Sequence, residues 1–203
     1  MIITRAPFRM SFFGGSSDYE DFYNQHGSFL ISATIDKYAY FSARFRPLIS
    51  GKENIISHEK VNSINEIKNR LLRETIKKYN TSGQALDVHL FSDVAARTGL
   101  GASSSCCCAL IHALGRLHKN SFTKREIAEK SIEIERKILK ESGGIQDQIA
   151  ASYGGFNSIE IKKDGFFQVR PVPISSDFKD YFAKCLCLIY VNTERKGTET
   201  ADS

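Results

Sequence analysis

The run Thr98-Gly99-Leu100-Gly101-Ala102-Ser103-Ser104-Ser105 sets two glycines and three serines directly ahead of a long stretch of apolar residues at helical spacing. Glycines let a backbone approach a ligand closely, and a helix start offers unpaired N–H groups together with the positive end of the helix dipole. Phosphate is the natural guest of such a loop. A hydroxyl in the first turn can also reach magnesium, which prefers oxygen ligands and keeps several waters. The same residues would equally make a plain helix cap. The loop is not of the Walker type, because no lysine follows it.

Two further stretches pair glycines with an acid. In Gly143-Gly144-Ile145-Gln146-Asp147-Gln148 a carboxylate follows a double-glycine turn, where it could align or deprotonate a hydroxyl attacking a phosphate, or simply cap the next helix. In Arg5-Ala6-Pro7-Phe8-Arg9 through Gly14-Gly15-Ser16-Ser17-Asp18-Tyr19, a paired-glycine turn precedes Asp18. A carboxylate there can accept hydrogen bonds from two neighbouring hydroxyls, and Arg9 could stabilise negative charge. A β-turn with Asp18 as a cap and Arg9 as a surface charge is the plainer alternative.

The elements that must position these residues follow from periodicity. Ile2 to Ser11 reads as a strand interrupted by Pro7, and Ser28 to Phe45 as two strands with a break around Asp36-Lys37. Helical spacing of Ile67, Leu71, Leu72 and Ile76 predicts a helix from Asn65 to Tyr79, then a strand over Ala85 to Phe91 and a helix over Ser103 to Lys119. Thr123 and Glu126 form a capping box for a helix continuing to about Glu141 and ended by Gly143-Gly144. A short helix from Asp147 to Tyr153 and strands at Phe156–Ile161, Phe166–Val172 and Leu186–Val191 complete an α+β arrangement without internal repeats.

The 203 residues suffice for one sizeable core, and the 41% hydrophobic share without a long apolar run excludes a membrane helix. Met1 leads straight into a strand-like segment rather than a leader peptide, so a cytoplasmic location is expected. The five cysteines, Cys106-Cys107-Cys108 with Cys185 and Cys187, contain no C-x-x-C pair; neither a disulfide framework nor a zinc site is suggested, and the triplet reads as small helix fillers. The net charge of +5 is scattered among glutamates and forms no basic stripe interleaved with aromatics, which argues against nucleic acid as a partner.

In this order and at these separations the three motifs resemble the GHMP kinase superfamily (galactokinase, homoserine kinase, mevalonate kinase, phosphomevalonate kinase). Its members open with A-P-x-[RK] and a G-x-x-[DE] turn, then carry G-L-G-[SA]-S-[SA] and an acid-x-Gln signature. The resemblance spans Arg5 to about Gly155. The G-G-x-x-D-Y turn, the run I-E-R-K-I-L-K-E-S-G-G-I-Q-D-Q and G-G-F-N are most similar to bacterial D-glycero-D-manno-heptose 7-phosphate kinases, with fucokinase-like enzymes a near alternative.

The resemblance implies a ribosomal protein S5 domain 2-like N-terminal domain over residues 1–185 that binds ATP, magnesium and a sugar. Residues 186–203 are expected to begin a ferredoxin-like C-terminal domain that is largely absent. Asp147 matches the catalytic aspartate and Arg9 its basic partner; Ser103 and Glu135, the latter twelve positions before Asp147, match the magnesium ligands. Gly99 to Ser104 match the phosphate loop, and Gly14, Gly15 and Asp18 the sugar-binding turn. The implied reaction is transfer of the ATP γ-phosphoryl group to a sugar or sugar phosphate, most directly the anomeric hydroxyl of a heptose 7-phosphate. A catalytically silent nucleotide-binding fragment is the alternative of another class. This sequence departs from the pattern in lacking a proline before the loop and in placing Ala102 where serine is common, neither of which removes backbone N–H donors.

Overall fold

The computed structural model describes residues 1–47, 53–95, 98–187 and 189. Its spine is the 18-residue strand β2 (Ser28–Phe45), against which β1 (Ile2–Phe13) runs antiparallel along one edge. The other edge is shared end to end by β6 (Phe156–Ile161), paired with Ser28 to Ala33, and β5 (Leu86–Ser92), paired with Ala39 to Phe45. A small hairpin of β3 (Asn54–Ile56) and β4 (Glu59–Val61) extends the sheet beyond β5, and β7 (Phe167–Pro171) extends it beyond β6.

The break expected at Asp36-Lys37 is not a break. Strand β2 continues through it, but Pro7 lies opposite Tyr38 and Arg9 opposite Thr34, so β2 carries extra residues there and bulges. A bulge bends the strand and re-aims the side chains beside it; Phe8 goes into the core and Arg9 toward the loop after β5. Pro7 likewise does not interrupt β1, since this register shift relieves the ladder beside it.

Helix α1 (Glu20–His26) follows the first glycine turn. The helix expected from Asn65 starts later: a 3₁₀ turn at Ile64–Glu66 precedes α2 (Arg70–Tyr79), whose N-cap Asn69 accepts the Leu72 N–H at 3.1 Å. Helix α3 (Ala102–Leu117) packs on β1 and β2, and α5 (Gln146–Tyr153) packs beside it. Phe41, Leu86, Val88, Leu110, Leu114 and Ile76 fill the core beneath α3; Leu30, Ile149, Ile159 and Ile161 fill that beneath α5.

The capping box forms as expected, with both reciprocal bonds between Thr123 and Glu126, and opens α4 (Lys124–Ile132). The helix does not then run on in α form to Glu141. Glu133–Ile138 is a π-helical segment, in which the Leu139 N–H donates to Ile134 at 2.9 Å and the chain leaves through a Glu141 N–H bond to Glu135 at 3.0 Å. Such widened turns shift side chains out of helical register, frequently at functional sites. Here Ile134 stays buried against Cys107, Ile111 and Leu139 while Glu135 is turned toward the start of α3.

The cysteine triplet fills the underside of α3. Burial pushes the Cys106 thiol up to about 11 and the Cys108 thiol up to about 12, so neither supplies a thiolate near neutral pH. Helix α6 (Ser176–Cys185), unforeseen from periodicity, follows β7 and lays Phe182 against Phe12 and Phe156. Leu186, Cys187 and Ile189 are not in a strand, and the other half of the expected strand Leu186–Val191 lies outside the described residues.

Because Ile134 is fully buried beneath the π segment, Ile134→Ala is expected to cost about 2–5 kcal/mol of stability. Chemical denaturation would show this as a lower midpoint at unchanged slope; an unchanged midpoint would mean that the packing does not anchor the segment.

Candidate active site

All three glycine motifs meet at the guanidinium of Arg9. Its Nε and Nη2 donate to the two carboxylate oxygens of Asp147 at 2.7 Å each, and its Nη1 donates to the Gly99 carbonyl at 2.8 Å. The Arg9 main-chain N–H donates to the Leu100 carbonyl at 3.0 Å, so the loop is tied to β1 by backbone as well as side chain. Ser105 adds a third tie by donating to the Pro7 carbonyl at 2.8 Å. Two-pronged contact between a guanidinium and a carboxylate fixes orientation as well as distance.

Gly101 takes the N-cap of α3 in the left-handed region, with φ of 74°, where a side chain would be strained. A Cβ there would also stand 3.2 Å from the Arg9 side chain and 3.5 Å from an Asp147 oxygen, so glycine leaves that approach open. Leu100 and Ala102 pack inward with Phe8 and Ala39. What the loop can present to a ligand is therefore backbone, together with the exposed Ser103 hydroxyl, at a helix start whose first N–H groups have no acceptor within the helix.

Glu135 closes the loop from behind. It is 1% exposed and accepts from the hydroxyls of Ser103 and Ser104, each at 2.6 Å, and from the side-chain amide of Gln148. The expected pair of Ser103 and Glu135 is thus brought together, with Ser104 and Gln148 as partners that the spacing did not assign. Hydroxyl and carboxylate oxygens suit a magnesium ion, and the side-chain oxygen of Gln148 is buried beside them without a hydrogen-bond partner. Among the described residues, no three His, Cys, Asp or Glu side chains form a metal-holding group. An ion here would depend on nucleotide phosphates and waters for its remaining ligands, as magnesium commonly does.

Asp18 joins the first glycine turn to the last. It is 1% exposed and accepts from the Gln146 main-chain N–H at 2.9 Å and side-chain amide at 3.3 Å, while Ile145 donates to its carbonyl at 3.2 Å. A Cβ on Gly144 would lie 1.8 Å from an Asp18 oxygen, so only glycine permits the contact. Gln146 keeps one buried side-chain oxygen without a partner. Gln146 and Gln148 flank Asp147 directly, and that Q-D-Q pattern was the signal that could have assigned them roles.

These pieces enclose a cleft of about 530 Å³ whose lining includes Arg9, Gly14, Gly15, Asp18, Gly99, Gly101, Gln146 and Asp147 together with Arg136, Ser142, Gly143 and Gly144. That volume suits a small-molecule ligand. A second concavity of about 450 Å³, near Asn54, Asn62, Lys77 and Asn80, shares none of these residues and contains no carboxylate. Among the described residues, no helix is long and apolar enough to cross a membrane.

Residues 64–155 match the family described as GHMP kinases N terminal domain. The chain is 27% identical to a D-glycero-alpha-D-manno-heptose 7-phosphate kinase of Campylobacter jejuni, over 98% of this chain and 62% of that protein. Among solved structures, a D-glycero-D-manno-heptose 1-phosphate kinase from Bacteroides thetaiotaomicron aligns at a TM-score of 0.79 and 26% identity, over 89% of this chain and 62% of the other. Lactococcus lactis galactokinase complexed with galactose shares the fold at a TM-score of 0.63 and 16% identity, over 90% of this chain and 55% of that one. The chain thus spans about three fifths of the length of these relatives.

Burial holds the Asp18 carboxyl above its ordinary value; the Gln146 main-chain bond opposes this and neighbouring Asp147 adds to it. A raised native pKa means that the folded state binds the proton more tightly than the unfolded one. Stability therefore falls as pH climbs from the ordinary carboxylate range through the raised value. Asp18→Asn removes that titration while keeping an acceptor for Gln146, so its melting temperature should gain on the wild type as pH rises above the ordinary carboxylate range. Parallel melting curves over that rise would contradict this reading of Asp18.

Proposed function

With the chain placed in the GHMP kinase family, we propose that it is the nucleotide- and sugar-binding part of a small-molecule kinase, an S5 domain 2-like domain over residues 1–185. In this reading it transfers the γ-phosphoryl group of ATP to a sugar hydroxyl, in the cytoplasm. The acceptor is a heptose 7-phosphate and the hydroxyl its anomeric one, a substrate class suggested by the kinase of Campylobacter jejuni. The observation that carries the proposal is the Arg9–Asp147 pair held against the carbonyl of Gly99, which puts an acid and a cation at the mouth of a backbone phosphate cradle.

In the proposed complex the triphosphate lies along Gly99 to Ser104, with backbone N–H groups and the start of α3 facing its oxygens. Ser103 and Glu135 would hold magnesium, which when bound neutralises charge on the phosphates. Arg9 uses its fork to fix the Asp147 carboxylate, and Asp147 keeps lone pairs beyond those taken by Arg9. With these it accepts the hydrogen bond of the attacking hydroxyl, aligning it and taking its proton as the phosphorus–oxygen bond forms. The guanidinium, close to the same point, stabilises negative charge on the group in flight. Gly14 lets the turn lie against the backbone of β2, where a Cβ would stand 2.2 Å from the Phe29 carbonyl oxygen, and Gly15, with open space where a side chain would be, gives the sugar room. Asp18, with two of about four acceptor directions used by Gln146, takes a further hydroxyl, and the unpaired oxygen of Gln146 offers another acceptor.

Positioning supplies most of such a reaction, so loss of the aligning carboxylate should be severe. Asp147→Asn is expected to lower ATP-dependent transfer to a heptose 7-phosphate by about 10²–10⁴-fold, with saturable ATP binding kept. The assay is phosphate transfer over a panel containing heptose 7-phosphate, fucose, galactose and mannose. Equal rates for wild type and variant would sink the mechanism, and saturable ATP binding with no transfer to any sugar would instead support a nucleotide-binding module.

A further inference from the structure

Among the described residues, four charged side chains line the cleft: Arg9, Asp18, Arg136 and Asp147. Three are accounted for above, because Arg9 and Asp147 pair with each other and Asp18 is held by both amides of Gln146. Arg136 is different. Its Nε donates to the Gly144 carbonyl at 3.0 Å, and its Nη1 donates to the carbonyls of Glu141 at 2.8 Å and Ser142 at 3.0 Å. Those bonds use three of the five N–H donors of a guanidinium. Among the described residues, neither donor on Nη2 has an acceptor.

Its charge is equally uncommitted. Among the described residues, no carboxylate comes within ion-pair distance of Arg136; Glu141 feels it electrostatically but contributes its backbone carbonyl, and shares its field with Arg70. The neighbouring residue keeps one face of the guanidinium uncovered. Gly143 adopts a φ of 134°, a conformation side chains rarely take, and a Cβ there would stand 3.1 Å from Nη2. Ser142, also lining the cleft, adds an exposed hydroxyl next to it.

A half-buried guanidinium held through Nε and Nη1 by three carbonyls, with both hydrogens of Nη2 unpaired at the cleft wall, can receive an anion. The proposed triphosphate cradle is Gly99 to Ser104, whereas Arg136 is fastened to the other glycine turn, at Glu141, Ser142 and Gly144. We infer that Arg136 is the specificity-determining residue that binds an anionic substituent of the acceptor, a phosphate ester on a carbon remote from the reacting hydroxyl. The inference rests on the kinase reading above and deepens it: the site selects a sugar that is already phosphorylated over the same sugar without its phosphate.

Calorimetric titration of the full chain with D-glycero-D-manno-heptose 7-phosphate and with the free heptose tests this, using wild type, Arg136→Gln, Arg136→Lys and Ser142→Ala. Wild type should bind the phosphorylated sugar at least about tenfold more tightly. Arg136→Gln should erase the preference by weakening only the phosphorylated sugar, by about 10–100-fold, while ATP affinity holds. Arg136→Lys, which keeps the charge without the fork, and Ser142→Ala, which leaves the carbonyl ties intact, should each reduce the preference in part. If Arg136 serves only to brace the turn, Arg136→Gln weakens both sugars by the same factor, and that result overturns the inference. Equal wild-type affinity for the two sugars overturns it as well, while phosphoryl transfer to the free heptose would leave the kinase reading standing. Strong discrimination between the sugars with no transfer to either would uphold the anion site and count against the kinase reading alone.

Discussion

The bidentate contact between Arg9 and Asp147 is the joint on which the rest of the site depends. It crosses 138 positions of sequence and joins β1 to the first turn of α5, while the same guanidinium grips Gly99 in the loop between β5 and α3. The two side chains are only 14% and 23% exposed, so neither charge would be comfortable without the other; removing one partner of such a pair leaves an uncompensated charge in a poorly solvated place. The geometry upstream follows from this requirement. Strand β2 carries extra residues between the partners of Pro7 and Arg9, and that local misfit sends consecutive side chains of β1 to different tasks, Phe8 to the core and Arg9 to the loop.

Around this joint, three acids are placed by three physical devices. Asp147 is held by a guanidinium. Glu135 is turned out of α-helical register by the π segment and received by two serine hydroxyls and an amide. Asp18 is accommodated by the missing side chain of Gly144 and two amide donors from Gln146. Each device consumes part of a carboxylate's capacity to accept hydrogen bonds and leaves part, which is the condition for an acid that must be rigid in the free protein and still meet a ligand. The orphaned side-chain oxygens of Gln146 and Gln148 fit that pattern, since a buried acceptor without a donor is costly unless something later supplies one.

How much of this was legible in the sequence depended on how local the signal was. The glycine turns, the Thr123 capping box and the helix after Gly101 are written in neighbouring residues, and the structure contains all of them. The expected break at Asp36-Lys37 failed because an exposed bulge and a turn have the same composition; only pairing with β1 distinguishes them. The π segment is invisible to periodicity for a related reason, since Glu133 to Ile138 looks helical in any local window and widens only because Ile134 and Glu135 answer to different neighbours. Helix α6 was missed because Phe182, stacked on Phe178 of the same helix, finds its partner Phe12 far away in sequence. Arg136 sits immediately after Glu135, yet nothing in its spacing told that its guanidinium would be fastened to three carbonyls through Nε and Nη1 with Nη2 left open.

The most direct test of the central claim is a double-mutant cycle on Arg9 and Asp147, with Arg9→Met, Asp147→Asn and the double variant compared for ATP-dependent phosphoryl transfer. If the pair acts as one unit, the double variant should lose little more than the worse single variant, a strongly non-additive cycle. Losses that multiply independently would mean that the two residues do not depend on each other, and the account built on their contact would be wrong.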